Sequence, residues 1–153
     1  MHVENHFFLG VVFALILFFI FPQVGLIEFF LVIAASVFID ADHYFEYVYR
    51  KKAFSLKKAY KEGVRLSKKF NKLSRKQQEK TYIGAWVFHG IESLIILFVF
   101  GIFLHKYFFF IFVGAAFHLL LDLCNQEWEK IPLTKLSVIY NLNKMKSQKI
   151  LDS

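Results

Sequence analysis

Four long apolar runs, Phe7 to Phe21, Val24 to Ile39, Ile83 to Leu104 and Tyr107 to Leu123, are separated by short or strongly basic polar stretches. None shows the two-residue alternation of a half-buried strand. With its flanks, each is long enough to cross a hydrocarbon core, which takes about 20 helical residues at about 1.5 Å rise. Pro22-Gln23 and His105-Lys106 leave room only for tight turns, so each neighbouring pair of helices should be an antiparallel hairpin. The pattern predicts an all-α polytopic membrane protein with four transmembrane helices in two hairpins, spanning about 5–22, 24–43, 82–104 and 107–124. A basic, partly helical cytoplasmic loop at 44–81 and a cytoplasmic tail at 125–153 complete one membrane-embedded helical domain.

Composition strengthens this reading. Apolar residues make up 57% of the 153, aromatics 20%, and 21 are phenylalanine, more than a soluble domain of this size could hide from water. The first run has no Lys or Arg before it and no small-residue cleavage site after it, so it is expected to be a retained helix rather than a secretion signal. A lone Cys124 excludes an internal disulfide framework.

Charge sets the orientation. Of 19 Lys and Arg residues, 13 lie between Arg50 and Lys80, five follow the fourth run, and only Lys106 is in the last hairpin turn. By the positive-inside rule the loop, the tail and both termini are cytoplasmic, and the protein is integral to the cell (inner or plasma) membrane. The net charge of +7 also favours membrane lipids with anionic headgroups as partners. Phe54, Tyr60, Val64, Phe70 and Leu73 interleave with lysines in a loosely helical pattern, which suits either an amphipathic helix on the inner leaflet or a solvated basic helix. No nucleic-acid-binding motif accompanies the basic residues, so no nucleic-acid partner is expected.

The residues that carry chemistry are the polar ones inside or at the ends of the apolar runs: His6, Glu28, Asp40, Asp42, His43, Glu46, His89, Glu92, His118 and Asp122. Ionisable groups in a membrane are costly unless they are paired or serve a task. On the topology above, all but Glu28 fall near the cytoplasmic end, and Glu28 lies about 18 Å from Asp40 along its helix. Spacing of three or four places His43 with Glu46, His89 with Glu92, and His118 with Asp122 on common helix faces. Imidazole-plus-carboxylate pairs from several helices are how bundle-core metal sites are assembled. Nitrogen and oxygen donors without thiolate suit a divalent first-row ion, Zn2+ first and Mn2+ or Fe2+ next. Glu92 is a catalytic candidate, either receiving a proton or bridging to a neighbouring helix instead of acting as a ligand.

Asn5-His6, Asp40-Ala41-Asp42-His43, His89-Gly90-Ile91-Glu92 and His118-Leu119-Leu120-Leu121-Asp122 resemble, in order and spacing, the motifs of the YdjM-type inner-membrane metal-dependent hydrolases. That family is similar in motif order to the zinc-dependent phospholipase C and single-strand nuclease class. The likeness covers nearly the whole chain apart from the basic loop. The chain departs from the pattern in having Glu92 where the family commonly has a further His, and Ile39 where it usually has Pro. Carried over, the resemblance implies His6, Asp42, His43, His89, His118 and Asp122 as metal ligands, with Asp40 as a ligand or general base. The implied activity is hydrolysis of a phosphoester or lipid headgroup by metal-activated water at the cytoplasmic face. The alternative from another class is a cation-binding or transport protein that uses the same polar residues without breaking a bond.

Overall fold

The computed structural model describes residues 3–82, 87–129, 137–139 and 149–150. It is all-helical apart from one two-residue parallel pairing. The helices are α1 (Val3–Ile20), α2 (Leu26–Phe38), α3 (Ala41–Lys51), α4 (Leu56–Asn71) and α5 (Arg75–Glu79), then α6 (Ile91–Phe103) and α7 (Lys106–Trp128). The pairing joins β1 (Thr81–Tyr82) to β2 (Lys149–Ile150). The chain divides into two compact units, Met1–Asp40 with Ile91–Asn125, and Ala41–Gly90 with Gln126–Ser153.

The first unit is a helical bundle of α1, α2, α6 and α7. Phe18 meets Phe29 edge-on at 5.8 Å, and Gly10 lies against Ser36, so α1 and α2 run antiparallel. Phe98 against Phe112 and Phe100 against Phe108 make α6 and α7 antiparallel as well. Both hairpins therefore form as their short connections require. Between the hairpins, Phe13 stacks on Phe117 at 4.1 Å, while α2 and α7 run parallel: Glu28 meets Lys106, Val32 meets Gly114, and Ser36 meets His118. Small residues allow the close crossings. A Cβ on Gly114 would meet the Val32 carbonyl oxygen, and one on Gly10 would meet the Ser36 hydroxyl.

This unit places polar groups inside and aromatic groups outside. Phe19 and Phe103 are 79% and 77% exposed, and α6 buries no residue. His6, Glu28, Ser36, His118 and Asp122 are buried. Among the described residues, α7 alone is both long and apolar enough to cross a membrane, with a mean hydropathy of 2.0; α1 and α6 are apolar but shorter.

Two expected helices are cut short. The run expected to be helical over 24–43 ends at Phe38. The Asp40 amide turns back to the Val37 carbonyl at 3.1 Å, and α3 starts afresh at Ala41. Asp residues compete locally for backbone hydrogen bonds, which favours such a break. In the run expected over 82–104, Tyr82 belongs to the β1 pairing, residues 87–90 form a turn, and α6 begins only at Ile91. Gly90, among the weakest helix formers, stands at that boundary. The intervening part of the expected span lies outside the described residues.

In the second unit, α3 is followed by Lys52, which takes the left-handed conformation at φ 52 and turns the chain towards α4. The Tyr44 hydroxyl donates to the Phe54 carbonyl at 2.9 Å and braces this corner. Ser55 caps α4, accepting from the Lys58 amide. At the far end of α4, Phe70 is buried and its carbonyl accepts from the Gln78 side chain at 3.2 Å.

Candidate metal centre

The break at the end of α2 frees an acceptor. Because the Asp40 amide bonds to Val37, the Ser36 carbonyl is available at the helix end, where the last carbonyls need partners from elsewhere. It receives the Nδ1–H of His118 from α7, at 2.7 Å. A carbonyl can only accept, so Nδ1 carries the proton and Nε2 presents its lone pair. That lone pair faces carboxylates: Asp40 Oδ1 is 3.7 Å away and Asp122 Oδ2 3.8 Å. A lone pair directed at anionic oxygens calls for positive charge between them, which a metal ion or a second proton supplies.

His6, from the first turns of α1, completes the group. Its ring stacks on His118 with centroids 4.0 Å apart and planes inclined by 17°. Its Nε2 is 3.2 Å from Asp122 Oδ1, yet neither ring nitrogen is in hydrogen-bonding geometry with any partner. Both nitrogens are buried, and leaving a buried polar atom unsatisfied costs about 1–3 kcal/mol. His6, His118 and Asp122 each offer one donor atom within 4.8 Å of the others, and all three are buried. The i, i+4 spacing of His118 and Asp122 on α7 does place both on one face.

The second unit holds the other candidates. Asp42, in the first turn of α3, is buried, and its Oδ2 accepts from the Phe88 amide at 2.6 Å and from His89 Nδ1 at 3.2 Å. By the same logic His89 carries its proton on Nδ1 and presents Nε2 as a donor. The His43 ring lies 5.4 Å from that of His89, edge to face, and His43 is exposed where His89 is buried. Asp42 thus orients His89 through a carboxylate–imidazole bond, the arrangement usual for histidines that bind metal. His89 lies in a turn ahead of α6, so it does not share a helix face with Glu92, as the sequence spacing suggested. Glu46 and Glu92 are half-buried and do not belong to the His6–His118–Asp122 group.

At the opposite end of the bundle, Glu28 is a structural clasp. Its carboxylate meets Lys106 Nζ at 2.6 Å and accepts the Gly25 amide at 3.1 Å, joining the N-termini of α2 and α7. The position of Glu28 in the sequence separates it from the cluster but does not reveal its partner. The signal was present in the i, i+3 spacing of Gly25 and Glu28 and in Lys106 as the one basic residue at that end.

The donor set fits a divalent ion. Within the first unit it combines neutral imidazole with carboxylate, has the His118 imidazole anchored by an acceptor on its far nitrogen, and includes a histidine whose buried nitrogens are otherwise orphaned. Among the described residues, His6, His118 and Asp122 would hold the ion, with Asp40 beside them. No family model, curated protein or solved structure matches the chain.

Proposed function

We propose that the protein is a membrane-bound metal-dependent hydrolase acting on a phosphoester, such as a lipid headgroup ester, at the cytoplasmic face. The observation that carries this reading is the buried His6–His118–Asp122 group, with the His118 lone pair aimed at carboxylates. A bound Zn2+, Mn2+ or Fe2+ would supply an acidified water and polarise a phosphoryl oxygen. The chain's own residues hold the donors in place: Ser36 sets the His118 tautomer, and Asp122 reaches both imidazoles. Asp40, next to His118, is placed to take or return a proton. This reading agrees with the resemblance to the YdjM-type hydrolases.

The membrane part of the proposal draws its embedding in hydrocarbon from the inside-out bundle, and its cytoplasmic termini from the basic residues of the loop and tail. Hydrocarbon solvates exposed phenylalanines, and a polar cluster kept inside avoids it. Hydrolysis is favoured over conduction because Glu28 is engaged with Lys106 and Gly25 instead of extending a polar path.

The test is turnover of headgroup-labelled phospholipid by the chain reconstituted with Zn2+, Mn2+ or Fe2+. Metal-dependent release of label that disappears in Asp122→Asn supports the proposal. Stoichiometric metal binding with no turnover of any phosphoester would favour a cation-binding protein instead.

A further inference from the structure

Helix α4 has two apolar rows: the fold buries one, and the other, Leu56–Tyr60–Val64, is exposed over its first two members, with Val64 half-buried. Phe70 is buried and Ala59 and Leu66 are half-buried, while Leu56 and Tyr60, one turn apart, are 70% and 51% exposed. Phe54, just before the helix, is 79% exposed. Helical spacing puts Lys57, Lys61 and Lys68 in a line flanking the Leu56–Tyr60 row, on the side away from Leu66 and Ala59. No carboxylate among the described residues pairs with these three lysines. The sole acid of α4, Glu62, lies towards the other flank and is held by Lys51 at 3.5 Å and by both arms of Arg65 at 2.9 Å. The fold has thus taken the acid out of reach of the lysine row.

We propose that α4, entered through Phe54, is a docking element for an anionic lipid surface: Phe54, Leu56 and Tyr60 enter the headgroup boundary and Lys57, Lys61 and Lys68 meet lipid phosphates. An exposed apolar row flanked by lysines is the geometry of an interfacial helix, in which the long lysine stems lie along apolar surface and extend their charges to the headgroups. Charge complementarity selects the occupant. A neutral bilayer would take the aromatics but leave the lysine row unmatched, and a nucleic acid would take the lysines but leave Leu56 exposed to water. The inference rests on the membrane half of the proposed function and not on the metal centre.

The test uses the full chain in nanodiscs of phosphatidylcholine alone or with phosphatidylglycerol. An environment-sensitive fluorophore is attached through Leu56→Cys in a Cys124→Ser background. Docking gives a blue shift and protection from an aqueous quencher in the anionic discs only, reversed by salt. Combining Lys57→Gln, Lys61→Gln and Lys68→Gln should lower the docked-to-free ratio about a hundredfold, at about fivefold per lysine. His118→Ala should leave docking unchanged, so a failed metal centre and a failed docking element are told apart. Equal exposure of the label in both disc types overturns the proposal, as does equal protection in both. Protection in neutral discs produced by a single-stranded oligonucleotide, with none produced by phosphatidylglycerol, assigns the row to nucleic acid and also overturns it. A chain that does not enter nanodiscs sinks both this inference and the membrane reading.

Discussion

His6 lies flat against His118, ring on ring at 4.0 Å, although 112 positions separate them in the chain. Two stacked imidazoles at this distance cannot both be protonated without strong repulsion, whereas both can donate lone pairs to one cation. The stack therefore ties the first turns of α1 to α7 through chemistry more than through packing.

Elemental analysis of purified protein should find divalent metal bound to the wild type. His6→Ala, His118→Ala and Asp122→Ala should each lower it by at least tenfold, in line with the loss of one ligand or its orienting partner. Glu28→Gln should keep full metal content. Retention of metal in all three alanine variants would remove the centre.

Breaking the clasp between Glu28 and Lys106 should affect stability alone. Lys106→Gln should lower the thermal midpoint slightly, with the difference shrinking in high salt, because Lys106 is 61% exposed. A large loss of hydrolysis in this variant with metal retained would point to conduction through that end.

Two of the close helix crossings should respond differently to an added methyl group. Gly114→Ala drives a Cβ into the Val32 backbone and should cost about 1–3 kcal/mol. Gly10→Ala meets only the Ser36 side chain, so Ser36→Ala should largely rescue it in a double-mutant cycle. The Ser36 backbone carbonyl that holds His118 is retained in that variant.

Asp42→Ala should loosen the turn that carries His89. Hydrogen exchange at the Phe88 amide, whose acceptor is the Asp42 carboxylate, should speed up markedly. Asp42→Asn, which keeps an acceptor oxygen, should restore part of the protection. Unchanged exchange in Asp42→Ala would show that the carboxylate does not order the turn.

Glu62 should titrate low. The Arg65 guanidinium beside it, and then Lys51, hold its carboxyl below the ordinary 4.5. A lowered folded value means its contribution to the α3–α4 corner is complete above 4.5 and is lost as pH falls through the folded midpoint. NMR titration should place that midpoint below 4.5 in the wild type and move it upward in Arg65→Gln.

Local pattern already contained the helical class, the two tight hairpins and the residue types of the candidate centre. Apolar runs of this length without alternation favour helices, and polar atoms inside such runs need partners. His118 and Asp122 were readable as a pair because a helix repeats every 3.6 residues, so a spacing of four is a spatial statement. The same rule misled for His89 and Glu92, because it assumes an unbroken helix and the chain turns at residues 87–90. The Ser36–His118 bond, the His6 stack and the Glu28–Lys106 clasp join residues 78 to 112 positions apart. Such contacts depend on the register between helices, which is set by close approaches such as Gly114 on Val32. Register is a property of packed surfaces and leaves no periodic trace along a single chain.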